Sequence, residues 1–147
     1  GRTLMTIHLH IPGQPVGKGC PTAGKAFGSR FTTLRTPAKT VSYESTVALF
    51  AAQAMAGRPL LTGPVNLQMR VDFAIPASWS QKKQRAAEAG LILPKVKPDA
   101  DNVIKAVCDA INGVVWVDDV QVVDLTLKKR YSVQPGVAVR IDLVEGE

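Results

Sequence analysis

The stretch PVNLQMRVDFAIP, residues 64–76, constrains the fold more than any other part of this chain. Val65, Leu67, Met69, Val71, Phe73 and Ile75 fall on one face, polar or small residues fall on the other, and a proline closes each end. Strict alternation over that length predicts a half-buried strand, which needs neighbouring strands and a layer packed on its apolar side. LMTIHLHI (4–11) repeats the pattern, with Met5, Ile7, Leu9 and Ile11 against Thr6, His8 and His10. VQVVDLTLKKRYSV and GVAVRIDLVE supply two further strands around a turn at Gln134–Gly136. In the second of these, Val137, Val139, Ile141 and Leu143 alternate with Ala138, Arg140, Asp142 and Val144.

Helical periods separate the strands. TPAKTVSYESTVALFAAQAMAG offers Thr36 as N-cap and Pro37 at the first helical position. Val47, Phe50, Ala51 and Ala54 follow at helical spacing, and Gly57 stops the run. SWSQKKQRAAEAG reads as a short, basic, exposed helix beginning near Ser78, with Trp79 as a packing anchor. DNVIKAVCDAIN places Val103, Ile104, Val107, Cys108 and Ile111 on an apolar side. The same helix carries a polar stripe of Asp101, Lys105, Asp109 and Asn112 and ends at Asn112–Gly113. The order is strand, loop, helix, strand, helix, helix, strand, strand. It predicts an α+β fold in one domain, residues 1–147, with helices packed mainly on one face of a mixed β-sheet.

The remaining composition narrows the class. No apolar run is long enough to span a bilayer, so no membrane role is expected. GRTLMTIHLHIPG lacks a charged region followed by a long apolar core, so no secretory leader is expected. Cys20 and Cys108 stand alone, which makes neither a zinc signature nor a disulfide framework and suits an intracellular setting. His8 and His10 share a strand face without a third ligand in view, so they are read as solvent-facing or strand-packing residues.

Charge is unevenly distributed. The net charge is +6, and no acid precedes Glu44, whereas Arg2, Lys18, Lys25, Arg30, Arg35 and Lys39 do. Residues 12–36 are rich in Gly and Pro, interleave cations with Phe27 and Phe31, and read as a long basic loop or loose hairpin. Such a segment can follow a phosphate backbone and stack on bases. Lys82, Lys83, Arg85, Lys95 and Lys97 form a second basic group. A polyanion such as nucleic acid suits this distribution; a generic soluble surface explains it equally.

Against that background the acids are concentrated. Five of the 12 acidic residues, Asp99, Asp101, Asp109, Asp118 and Asp119, lie in KPDADNVIKAVCDAINGVVWVDD, residues 97–119. Taken singly they have structural explanations. Asp99 can cap a helix start, Asp101 and Lys105 form an i,i+4 pair worth roughly 0.2–0.5 kcal/mol, and Asp118–Asp119 suit a turn. Together they raise another possibility. If the segment after the helix returns along it, Asp118 or Asp119 comes back beside Asp99 and Asp101. Converging carboxylates repel unless a cation lies among them, and a hard divalent ion such as Mg²⁺ takes oxygen ligands and keeps waters for a substrate phosphate. Lys105 would then neutralise phosphate charge or orient a water.

Other motifs fit less well. DADNV matches a DxDx[TV] phosphatase nucleophile pattern but follows KVKP instead of an apolar strand. An EF-hand would need ligands where Val103 and Ala110 stand and a glycine at Ile104. No G-x-x-x-x-G-K-[ST] loop occurs, so no nucleotide cofactor is expected.

KPDADNVIKAVCDAINGVVWVDDVQV closely resembles the signature of the RusA family of Holliday junction resolvases: Asp-x-Asp-Asn, a lysine, Asp-Ala, then VW-x-DD-x-Q. PVGKG, TPAKT and the basic helix before KPD extend the resemblance more weakly, toward prophage-type members. The resemblance implies a homodimeric endonuclease that depends on Mg²⁺, with Mn²⁺ as a substitute, and cuts four-way DNA junctions by paired nicks in recombination and repair. It implies Asp99, Asp101 and Asp119 as metal ligands and Lys105 as the catalytic lysine. Asp118 matches the first acid of the pair, and Asn102, Asp109 and Gln121 match supporting motif positions. Lys18, Lys25, Arg30, Lys82, Lys83, Arg85, Lys95 and Lys97 are the expected DNA contacts, and a bacterial cytoplasm is the expected location. CPTAGKAFGSRF stands where relatives often carry an arginine-rich continuation. The alternatives are a non-catalytic DNA-binding accessory protein, whose acids are only caps and turns, and a nuclease with broader taste for branched DNA.

Overall fold

Nine named strands and helices, in a computed structural model, order the described residues, which are 2–18, 22–25, 32–35 and 38–146. They are β1 (Thr3–Pro12), β2 (Thr22–Lys25), β3 (Thr32–Arg35), α1 (Ala38–Met55), β4 (Val65–Ala74), α2 (Gln81–Glu88), α3 (Ala100–Ile111), β5 (Val122–Ser132) and β6 (Gly136–Val144). A single 3₁₀ turn, Asp119–Gln121, precedes β5. The expected cap at Thr36 and Pro37 lies outside the described residues, as do Cys20, Phe27, Arg30 and Phe31.

The main sheet has the order β1-β6-β4-β5. β6 is antiparallel to both β1 and β4, while β5 runs parallel to β4, so the sheet is mixed as expected. β5 and β6 follow one another in sequence yet do not pair, because β4 lies between them. Their composition accounts for this. β4 and β6 bury Val65, Leu67, Met69, Val71, Phe73, Val137, Val139 and Ile141 and take the centre. β5 carries Lys128, Lys129 and Arg130 and exposes Val123 and Leu125, and a charged strand is suited to an edge. Within the segment read as a loop or loose hairpin, β2 and β3 pair antiparallel, from Thr22↔Arg35 to Lys25↔Thr32.

One face of the sheet is covered. α1 packs on α3 and on β1, and α2 reaches the end of β5, where Trp79 meets Tyr131 edge-on at 5.2 Å between ring centres. Val47, Ala51, Val103, Val107, Ile111 and Trp116 complete the core beneath the sheet. Slipping β4 by one residue would turn its five buried side chains outward, at roughly 1.5–3 kcal/mol each. That sum is comparable with the whole stability of a typical domain, so the register is fixed by burial.

Two details differ from expectation. α2 begins at Gln81, not near Ser78, because the Ser80 hydroxyl accepts the Lys83 amide at 3.2 Å and supplies the N-cap. Asp142 points to the open face yet is buried, since Thr6 donates to it at 2.6 Å and Arg140 at 3.1 Å.

Candidate active site

Asp99 starts α3. Its backbone is extended, at φ −74° and ψ 163°, and its carboxylate accepts the Asn102 amide at 3.1 Å. Asp101 lies in the first turn, exposed, with its carboxylate 3.1 Å from the Lys105 ammonium. The structural roles that the sequence allows for these two acids are therefore realised. Each leaves a second carboxylate oxygen for other partners.

Beyond the helix the chain turns back through a set of directed hydrogen bonds. Asn112 caps α3, and Gly113 takes φ 76°, the left-handed conformation that a glycine adopts at little cost. Trp116 is fully buried, and its indole donates to Asn112 Oδ1 at 2.5 Å. Gln121 then pins the acidic turn. Its side-chain oxygen accepts the Val117 and Asp118 amides at 3.0 Å each. Its side-chain nitrogen donates to the Leu61 and Gly63 carbonyls, each at 2.9 Å.

These bonds bring Asp119 back against α3 at the level of its third turn. A cleft of about 220 Å³ is lined by Asp119 with Ile104, Lys105, Cys108 and Asp109 from α3, Leu67, and Val122 and Leu125 from β5. Burial pushes the Asp119 carboxyl above the usual carboxylate range, and Asp118 and Asp109 push it further, while Asn112 opposes them. Burial raises the Cys108 thiol to about 12, which makes it a packing group at neutral pH.

The acids that the resemblance marks as metal ligands come from two places, Asp99 and Asp101 from the start of α3 and Asp119 from the turn before β5. Asp109 stands about 12 Å along the helix axis from Asp101, for eight residues of helical rise, and lines the Asp119 cleft together with Ile104 and Lys105. Among the described residues no group of three or more His, Cys, Asp or Glu side chains is arranged to hold a metal ion. Lys105 connects the two groups, since it pairs with Asp101 and also lines the Asp119 cleft. Asp109, expected only as a supporting motif position, lines the same cleft as Asp119. The spacing-four stripe of Asp101, Lys105 and Asp109 was the signal for it.

The expected DNA contacts divide as well. Lys82, Lys83, Arg85, Lys95 and Lys97 are exposed, and Lys83 lies over the Trp79 ring at 4.0 Å. Lys25 is in β2, and Arg30 lies outside the described residues. Lys18 faces inward, with its ammonium 2.6 Å from Asp109 and 3.5 Å from Glu44.

The family model described as "Endodeoxyribonuclease RusA" matches residues 12–142, which gives the class as endodeoxyribonuclease. The chain belongs to the RusA family. It is also similar to the uncharacterized protein YqaN of Bacillus subtilis (strain 168), at 41% identity over 139 residues, covering 92% of this chain and 94% of the relative. The family match spans every element from the end of β1 into β6 and so includes the whole cleft. No helix among the described residues is long and apolar enough to cross a membrane.

Proposed function

We propose that this chain is a homodimeric, Mg²⁺-dependent endonuclease that resolves four-way DNA junctions by paired phosphodiester nicks, acting in the bacterial cytoplasm on recombination and repair intermediates, and that it is of prophage type. The observation that carries this reading is the position of Lys105. It bridges from Asp101 to the cleft of Asp119, so a cation and carboxylates face one another where a phosphate can enter.

The donor chemistry suits Mg²⁺. The ion usually takes one or two carboxylates and keeps waters for substrate phosphate, so a closed three-carboxylate cage is not required. Asp99, Asp101 and Asp119 are the proposed ligands. The raised Asp119 carboxyl, crowded by Asp118 and Asp109, supports a cation there. When bound, Mg²⁺ supplies Lewis-acid polarisation of the phosphodiester and a more acidic water.

The chain's own side chains do the rest. Lys105 neutralises charge building on the phosphoryl oxygens as the water attacks. Asn112 favours the charged form of the Asp119 carboxylate, and Gln121 fixes the turn that carries it. The exposed cations of α2 and of residues 95–97 hold the backbone, so binding should weaken steeply with salt. A two-fold dimer would offer two equivalent sites to a junction of near two-fold symmetry.

A non-catalytic accessory role draws support from the capping by Asp99 and the surface pair of Asp101. Incubating the protein with synthetic four-way junctions, flaps and linear duplex, with Mg²⁺ or with a chelator, separates the readings. Mg²⁺-dependent paired nicks confined to junctions are expected. No cleavage of any substrate would favour the accessory role, and comparable cleavage of flaps would favour a broader nuclease.

A further inference from the structure

Lys18 ends the described segment between β1 and β2, and its surroundings are built rather than incidental. The Lys18 amide donates to the Asn102 carbonyl at 2.9 Å, in the first turn of α3. Thr40 of α1, itself buried, donates to the Gly17 carbonyl at 3.3 Å. The approach at Gly17 is so close that a β-carbon there would lie 2.6 Å from Pro98 Cβ and 2.9 Å from Asn102 Cβ. From this anchored backbone the Lys18 side chain reaches toward the last turn of α3. Its ammonium donates to Asp109 Oδ2 at 2.6 Å and stands 3.5 Å from Glu44 Oε1 of α1. That glutamate oxygen is buried and makes no hydrogen bond among the described residues, so Lys18 provides its nearby positive charge.

We propose that Lys18 is a positioning residue: it clamps the segment that leads into the β2–β3 hairpin onto α1 and α3, beside the turn carrying Asp99 and Asp101, and does not itself contact DNA. The inference rests on the endonuclease reading above, and it removes Lys18 from the expected DNA contacts. Two carboxylates from facing helices compete for its three donors, whereas the exposed lysines of α2 keep theirs for phosphate. Without the Lys18 side chain, Glu44 and Asp109 would lose their common cation, and the described part of this segment would keep its packing at Val16 and the backbone bonds of Gly17 and Lys18 but lose its side-chain tie to α1 and α3.

Three measurements on full-length protein test the clamp. Single-turnover cleavage of a four-way junction at saturating protein should fall at least about tenfold in Lys18→Met, within the range that a misplacement of about 1 Å produces. Junction affinity and its salt slope, measured in chelator, should stay at the wild-type values. A lost phosphate contact would lower the slope by about 0.9, and that result would overturn the proposal. Lys18→Arg preserves the cation and should keep cleavage within about twofold of wild type; a loss as large as that of Lys18→Met would count against the clamp. Amide exchange at Lys18 should be slow in wild type and faster in Lys18→Met; equal exchange, or unchanged cleavage, would also overturn it. Should wild type cleave no DNA, the endonuclease reading fails while the exchange measurement still decides the clamp. Should Lys18→Met not fold, Lys18→Gln replaces it in the same assays.

Discussion

The Trp116 indole donates to Asn112 Oδ1 at 2.5 Å, and this bond ties the end of α3 to the turn that carries Asp119. Trp116 is fully buried and Asn112 half-buried, so the bond lies at the edge of the core. Asn112 in turn favours the charged form of Asp119, which relates a core residue to an acid of the cleft.

Replacing Trp116 by Phe keeps the ring but leaves Asn112 Oδ1 without its buried donor. The cost should be about 1–3 kcal/mol of stability, measured by denaturant unfolding, because the unpaired acceptor is the dominant loss. Junction cleavage should fall with it, since Asn112 is no longer oriented toward Asp119. Unchanged stability would mean that Asn112 finds another donor.

Gln121 makes four hydrogen bonds, two accepted from Val117 and Asp118 and two donated to Leu61 and Gly63. Gln121→Leu retains volume and removes all four. A loss of at least about 2 kcal/mol is expected in thermal or urea unfolding, given about 1 kcal/mol for an ordinary hydrogen bond and partial rehydration of the exposed amides. Gln121→Glu retains the acceptor but sets a carboxylate against two carbonyls and should be nearly as disruptive. If both variants unfold like wild type, the turn is held by other contacts.

Asp142 gives the chain a pH-dependent element away from the cleft. Burial alone would raise its carboxyl, but the hydrogen bonds from Thr6 and Arg140 outweigh burial and leave it below the usual carboxylate range. A carboxyl lowered in the folded state adds stability above its unfolded value of about 3.9, and that stability is lost as pH falls through the lower folded value. The difference in Tm between wild type and Asp142→Asn should therefore be largest near neutral pH and shrink between about pH 4 and the folded value. A difference that grows on acidification would reverse the assigned sign.

Much of this arrangement was legible in the sequence, because alternation and helical period report burial directly. β1, β4 and β6 place Ile7, Val71 and Val139 inward as their patterns require, and the stripe on α3 emerged intact. Pairing was less accessible. The insertion of β4 between β5 and β6 depends on which strand tolerates an edge, a property of the whole sheet and not of the turn at Gln134–Gly136. The level at which Asp119 meets α3 depends on Gln121 bonding residues 61 and 63, a contact across about 60 positions that no local period encodes. The inward turn of Lys18 follows from Glu44 and Asp109 facing each other across two helices, whereas in sequence it was one cation among many.

The central claim is that the carboxylates on and beside α3 do chemistry as well as cap and pair. It is tested most directly by Asp101→Asn, assayed in Mg²⁺ for binding and cleavage of a synthetic four-way junction. The side chain is exposed and its pair with Lys105 contributes only about 0.2–0.5 kcal/mol, so folding should be intact. The variant should bind the junction at least as tightly as wild type and fail to cut it. Full Mg²⁺-dependent cleavage by Asp101→Asn would contradict the site.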